Sequence, residues 1–463
     1  MEDALVVPEG TGAFDCAVVI FGAGGDLMAR KLGPGFVKDL DSLPKAERRR
    51  YKFIGADLIP MDKYEEFLED RFEDHSPGTL KLEAWQDFSS SLEYHHVGRG
   101  MEEARALFSC VAQFLRHNPK ATVQFYLAVP HTANIKILEQ AVHYLGGTGV
   151  GSRIFFVSEK PLEISAASLE RIKHLLELLG VPEGNFGVTE HFDKKPFFEH
   201  ALNTESSLAK LMGRIVQRKW RKVIFTVKEK IGTEKRAYYG IGIDSMLNHH
   251  AYMMAVVFGF LFTVSSIVGK RKGFRLSQVL CDVAKRIVAP WGQYLCCRQD
   301  HCPPQHVPTG IHLRYDVKLD NGELLEVESS HVKNTDEKVT KARIEGDNWV
   351  LELLMDGFRK GVRGYGWRLW ENGTIAEEHF EALPPEKACG YPEVVRAVRL
   401  RRMDEFMPLD FQQCSNGLFM GLLERLDKIP VGERMWFDIG DAVLERITPE
   451  TLRPLHQEVE AVA

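Results

Sequence analysis

The 463-residue sequence is short of cysteine and carries little net charge. Its eight cysteines, Cys16, Cys110, Cys281, Cys296, Cys297, Cys302, Cys389 and Cys414, follow no regular spacing. That excludes the disulfide framework of small secreted domains and reads as reduced thiols in the cytoplasm. A formal net charge of −6 gives no footprint for a nucleic-acid partner or an anionic membrane. Internal repeats and low-complexity tracts are absent. The opening MEDALVVPEGTGAF lacks the charged-then-apolar order of a signal peptide. One uncharged run, 251–269, nearly reaches the length of a bilayer-crossing helix. With no other membrane-like feature, it reads as a buried helix within a large domain, and no membrane partner is expected. In CCRQDHC, 296–302, the thiols and His301 are suitable zinc ligands. Adjacent cysteines do not easily share one ion, however, and no C-x-x-C pair completes the set, so no metal is expected. KRKGFR, 270–275, reads as a solvated helix end.

What is present is the composition of an ordinary globular protein, 44% hydrophobic and 27% charged, in a chain long enough for two domains. Strand-like runs at 16–21, 51–55, 122–129 and 153–157 alternate with amphipathic helical patterns at 29–40, 63–74, 101–116 and 132–145. That alternation predicts a doubly wound parallel sheet. A further helix over 165–180 is started by serine and stopped by Gly180, so the first domain is assigned to 1–185. Beyond it the pattern changes to long apolar/polar alternation at 222–232, 311–319, 323–332 and 343–355. These are half-buried antiparallel strands, and 186–463 is expected to be an α+β domain with a large, mainly antiparallel sheet faced by helices.

The most informative stretch is VVIFGAGGDLMARKLGPG, 18–35. Four apolar residues lead to Gly22 and Gly24, and a helix follows. Such a turn lets the backbone approach a pyrophosphate and points the helix's free amides at it. Leu27 stands where the third glycine of G-x-G-x-x-G belongs. Gly22, Gly24, Gly25, Asp26 and Leu27 are the candidate cofactor turn of a Rossmann-like domain. At the end of the second strand, in YKFIGADLI, Asp57 is placed to accept hydrogen bonds from ribose hydroxyls and to repel a 2′-phosphate. NAD is therefore the expected cofactor, with NADP the alternative.

Taken together, G-x-x-G-D-L-x-x-R-K-L-x-P resembles the cofactor turn of the glucose-6-phosphate dehydrogenase family. Further segments follow in that family's order: FYLAVPHT at 125–132, SEKPL at 158–162, EHFDKK at 190–195, EKIGTEKRAYYG at 229–240 and IDSMLNHH at 243–250. The resemblance is firm to about residue 260 and thinner beyond. It implies the hexose-phosphate oxidation of that family, in which hydride leaves C1 for NAD(P) and a lactone forms. It implies, too, a homodimer or homotetramer, a dimer interface on the large sheet, and a cytoplasmic enzyme of carbohydrate metabolism.

Site residues follow position by position. Histidine is the usual base for the anomeric hydroxyl, and a carboxylate on its other nitrogen fixes the tautomer. The resemblance makes His249 that base and Glu190 its partner, where the family has aspartate; the asparagine-histidine frame selects His249 over His250. Lys160 and Pro161 fall between cofactor and substrate, and Pro130 falls at the cofactor. Lys31, His191 and Lys195 fall on substrate, the last two on its phosphate. Glu229 and Asp244 fall on sugar hydroxyls, and Lys333 on the lysine of the family's R-T-G-K. Arg30 has two readings, a neighbour of the cofactor phosphates or a solvated helix residue. Departures gather where substrate is read: Phe192 replaces tyrosine, Asp193 and Lys194 replace leucine and glycine, and Leu247 replaces glutamine. Ser330, His331 and Val332 replace arginine, threonine and glycine. Two alternatives stay open: the same oxidation on a modified or differently phosphorylated sugar, and a non-catalytic nucleotide-binding regulatory homologue.

Overall fold

The computed structural model describes residues 14–163, 165–190, 194–203, 205–229, 246, 249–262, 272–295, 310–333, 335, 338–383 and 390–427. They divide into two compact units.

The first unit is a six-stranded parallel sheet of β1 (Cys16–Phe21), β2 (Tyr51–Asp57), β3 (Leu92–His96), β4 (Thr122–Leu127), β5 (Ile154–Ser158) and β6 (Phe186–Val188). Their order is β3-β2-β1-β4-β5-β6. The strand order reverses at β1/β4, which is where open α/β sheets hold dinucleotides. β1 and β4 are buried along their whole length, so they read as continuous apolar runs rather than alternating ones. Helices Gly33–Asp41, Tyr64–His75, Met101–His117, His131–Leu145 and Ala166–Leu179 lie between the strands in sequence. A single cut at 185 does not describe this unit. It takes in β6, which gives the edge of β5 a hydrogen-bonded partner, and it takes in the later segment Tyr391–Leu409. That segment is tied back by Val188 N–H on Met407 O (2.9 Å) and by the buried ion pair Arg399–Asp39.

The second unit holds an eight-stranded sheet of β7 (Lys222–Glu229), β8 (Ile287–Leu295), β9 (Gly310–Lys318), β10 (Leu324–Lys333), β11 (Val339–Glu345), β12 (Trp349–Arg359), β13 (Val362–Glu371) and β14 (Thr374–Ala382). The order is β14-β13-β12-β11-β7-β10-β9-β8, antiparallel throughout except for the parallel pair β7–β10. The expected strand over 343–355 is in fact two. Gly346, Asp347 and Asn348 turn the chain, closed by Gly346 N–H on Trp349 O (2.9 Å), and β11 and β12 form a hairpin.

Helix Ala251–Phe262 packs on the sheet, with Phe258 against Phe225 (6.3 Å) and Met254 Sδ accepting from Tyr315 Oη (3.7 Å). Residues 251–259 are all buried, which is why this stretch carries no charge: no face of 251–259 meets water. Among the described residues no helix is long and apolar enough to cross a membrane. The reading of all cysteines as free thiols is corrected. Helices Lys272–Arg286 and Leu409–Asp427 bring the Cα atoms of Cys281 and Cys414 to 5.2 Å, and their sulfurs are bonded. At a sequence separation of 133, no local spacing could have revealed the pair.

Candidate active site

The chain leaves β1 at Gly22, whose φ of +83° and whose crowding demand glycine. A Cβ there would lie 2.3 Å from Ala128 O. Gly22 N–H donates to Ala56 O (2.9 Å), and Tyr64 Oη donates to Ala23 O (3.0 Å). Gly24 N–H donates to Asp57 Oδ2 (2.8 Å), so the carboxylate at the end of β2 is aimed at the turn. A π-helical turn, Met28–Leu32, then runs into helix Gly33–Asp41. A bare backbone turn with a helix behind it and a carboxylate beside it fits a dinucleotide.

Lys31 is exposed on that π-helical turn. The neighbouring cation has a partner: Arg30 Nη1 is 3.1 Å from Asp26 Oδ2 in an exposed pair, and Arg71 is 3.5 Å from the same carboxylate. Exposed pairs of this kind are worth about 0–1 kcal/mol, so nothing in the turn's stability depends on Arg30. Pro130 immediately precedes helix His131–Leu145. Lys160 follows β5 and is joined to Pro161 by a cis peptide. Its neighbour Glu159 is held from three sides: it accepts from Tyr126 Oη, from Thr189 Oγ1 (2.8 Å) and from Tyr391 Oη (3.2 Å). These bonds anchor the backbone that carries Lys160.

In the second unit, His249 and His250 form a π-helical turn directly before helix Ala251–Phe262. His249 Nδ1 lies 3.2 Å from Glu190 Oε1, with both side chains nearly buried. Glutamate therefore reaches the ring despite its extra methylene. A carboxylate accepting from Nδ1–H leaves a neutral imidazole with its lone pair on Nε2, the form that takes a proton.

Glu229 and Lys333 are brought together, Nζ to Oε2 at 3.2 Å, because parallel pairing sets Lys333 opposite Glu229. His331 Nε2 is 3.2 Å from the same oxygen. Burial pushes the Glu229 carboxyl up, but the hydrogen bond from His331 and the charge of Lys333 outweigh it and hold the group well below the ordinary range.

Lys195 is buried, with Nζ 3.1 Å from the fully buried carboxylate of Asp356. Arg363 grips that carboxylate with two bonds of 2.8 Å, and Lys338 Nζ stands 3.9 Å away. Burial raises the Asp356 carboxyl, yet Lys195, Arg363 and Lys338 together bring it down to about 2. Burial also lowers the Lys195 ammonium, against the pull of Asp356. Three cations around one carboxylate leave positive charge in surplus, the electrostatics a phosphate dianion needs.

His191, Phe192, Asp193, Asp244 and Leu247 lie outside the described residues, as does the cysteine cluster 296–302. Sequence reasoning overlooked Asp356, Arg363 and Lys338, for which no motif gives a signal. It named His331 only as a replacement. Strand alternation was the available signal there, because residues 331 and 333 share one face of β10. Among the described residues, Glu93, His95 and Cys110 gather three metal-ligating atoms. Lys52 Nζ already neutralises Glu93 at 2.6 Å, and burial pushes the Cys110 thiol up to about 11, which keeps it protonated.

The fold defines a class of architecture: a Rossmann-like parallel-sheet domain with a dinucleotide-type glycine turn, followed in the chain by a mainly antiparallel-sheet domain. Residues 19–180 match the family profile "Glucose-6-phosphate dehydrogenase, NAD binding domain". The match covers the first domain, and what it supports is likeness to that family's NAD-binding domain. No curated protein sequence matches the chain significantly.

Among solved structures, a glucose-6-phosphate dehydrogenase in complex with glucose-6-phosphate is 18% identical, with a TM-score of 0.64 over 96% of this chain and 98% of its own. Glucose-6-phosphate 1-dehydrogenase from Mycobacterium avium is 17% identical, with a TM-score of 0.66 over the same shares, 96% and 98%. KijD10, a 3-ketoreductase from Actinomadura kijaniata solved with NADP and TDP-benzene, is 11% identical, with a TM-score of 0.50 over 88% and 96%. At these identities the likeness is one of fold.

Proposed function

We propose that the protein is an NAD-dependent sugar-phosphate 1-dehydrogenase that converts an aldose phosphate to its lactone. The observation that carries the reading is the nearly buried His249–Glu190 pair, 3.2 Å apart. A bound nicotinamide supplies the hydride acceptor for C1. His249 Nε2 takes the proton of the anomeric hydroxyl as the C1–H bond breaks and the C1=O bond forms. Glu190 keeps the ring in the accepting tautomer and stabilises the imidazolium that results. Lys31, Lys160 and Lys333 are assigned to substrate, Lys195 and His191 to its phosphate, and Glu229 and Asp244 to its hydroxyls. The surplus positive charge around Asp356 supports a phosphorylated substrate.

The test is a spectrophotometric assay of NAD or NADP reduction over a panel of aldose phosphates and free aldoses. Turnover of glucose 6-phosphate with NAD, at least tenfold above any free aldose, is the expected result. Turnover of another aldose phosphate alone selects the modified-sugar reading, which the altered residues Ser330, His331 and Val332 favour. Dinucleotide binding without turnover of any sugar overturns the enzyme reading.

Asp57 carries the preference for NAD. Its carboxylate ends β2 and accepts from Gly24 N–H, where a 2′-phosphate would meet like charge. Loss of a charge-assisted hydrogen bond costs about 1.5–3 kcal/mol. Asp57→Ala is accordingly expected to raise the KM for NAD by about 10–100-fold, with the KM for NADP unchanged or lower. A wild-type protein with the lower KM for NADP contradicts the assignment.

A further inference from the structure

The carboxylate of Glu229 is divided between two tasks. Its Oε2 meets both His331 Nε2 and Lys333 Nζ at 3.2 Å. Among the described residues no hydrogen bond reaches Oε1, and the side chain stays 28% exposed. One oxygen is therefore committed to the protein, while among the described residues the other has no partner.

His331 is held in place to do this. It is fully buried on β10, two residues before Lys333 and on the same face. The ring of His250, also fully buried, lies 5.7 Å away, and among the described residues neither of its nitrogens has a hydrogen-bond partner. Burial, with the histidines on either side, keeps His250 far below the ordinary histidine range and therefore neutral. His331 is thus backed by a ring that makes no hydrogen bond to it, and since a carboxylate can only accept, His331 Nε2–H donates to Glu229. The resemblance sets threonine at this position, which is too short to duplicate that contact.

We propose that His331 is a specificity-determining positioning residue: together with Lys333 it occupies Oε2, so that Glu229 reads a single sugar hydroxyl through Oε1. The proposal rests on the reading above, in which Glu229 faces the sugar. It also sets the chemistry of the group recognised. Lys333 already balances the charge of Glu229, so the partner of Oε1 is a neutral hydroxyl and not the ammonium of an amino sugar. A site built around one hydroxyl rejects the analogue lacking that hydroxyl strongly and is indifferent to a neighbouring deoxy position at this carboxylate.

The experiment uses the full-length protein, the aldose phosphate it turns over, and the monodeoxy analogues of that sugar. kcat and KM are measured for wild type, His331→Gln, His331→Asn and Glu229→Gln. Glutamine places an amide nitrogen where Nε2 stands and is expected to keep the wild-type ratios of kcat/KM. Asparagine withdraws the donor and frees Oε2. One further deoxy analogue is then expected to become at least tenfold poorer relative to the parent sugar, mainly through KM. In Glu229→Gln the penalty for one deoxy position is expected to shrink, which serves as the test should His331→Asn fail to fold. Ratios unchanged in His331→Asn, or all sugars losing by one factor, overturn the proposal, as do penalties that shrink at two positions in Glu229→Gln. Such results with an active wild type remove this proposal alone, whereas a wild type inactive on every aldose phosphate removes the parent reading and this one with it.

Discussion

His249→Asn is expected to lower kcat by about 10²–10⁴-fold, the usual contribution of a positioned general base. That loss corresponds to about 2.7–5.5 kcal/mol of transition-state stabilisation. The fall should appear in kcat and kcat/KM alike, because the proton moves only as the anomeric carbon is oxidised. Dinucleotide affinity, followed by intrinsic fluorescence, should be unchanged, since the cofactor turn of Gly22, Gly24 and Asp57 belongs to the first unit. His250 is the control: fully buried and held neutral, it offers no accessible proton acceptor. A His249→Asn enzyme within threefold of wild type would remove His249 from the chemistry. Glu190→Gln keeps the length of the orienting side chain but withdraws the negative charge that stabilises the imidazolium. It is expected to show a smaller loss of the same kind.

Asp356→Asn carries the largest expected effect on stability. The carboxylate is fully buried and faces Lys195 and Arg363 at 2.8–3.1 Å, with Lys338 at 3.9 Å. Removing one partner of a buried ion pair costs about 3–5 kcal/mol, because the buried Lys195 ammonium then stays in low dielectric without compensation. Denaturant unfolding should show the loss in the transition of the second unit, with two transitions allowed for in a two-unit chain.

The pH dependence follows from the depressed carboxyl. Asp356 titrates at about 2 in the folded protein, against an ordinary aspartate value of 3.8. Unfolding therefore takes up a proton between these values, and the stability this group contributes is fully present above the upper one. It is lost as the pH falls through 3.8 towards 2. The gap between wild type and Asp356→Asn should accordingly narrow over that interval and stay constant from pH 5 to 8. A constant gap down to the lower limit would show that Asp356 is not the depressed group.

The parallel sheet was legible because its central strands are buried on both faces, and burial on both faces writes an uninterrupted apolar run into the chain. β1 and β4 carry that mark. The edge strand β3 does not: Leu92–His96 is half-buried, with three polar or charged residues in five, so it lacks a strand's pattern. β6, at three residues, is too short to show any period. In the second unit the alternation of β7, β9 and β10 was clear, while the turn at Gly346 was absorbed into one longer run.

By itself, the sequence determined the class of the first domain, the glycine turn and the candidate base, since each depends on residues close together in the chain. Gly22 turns the backbone where it stands, and a strand followed by a helix needs no distant partner to be recognised. Only the tertiary structure decided which charges meet. His249 finds Glu190 across 59 positions, His331 finds Glu229 across 102, and Lys195 finds Asp356 across 161. Those encounters depend on strand register and on the packing of Ala251–Phe262 against the sheet, and neither is written in local spacing. The electrostatic character of the site, with the buried carboxylate of Asp356 outnumbered by cations, is accordingly a property of the folded sheet rather than of any motif in the chain.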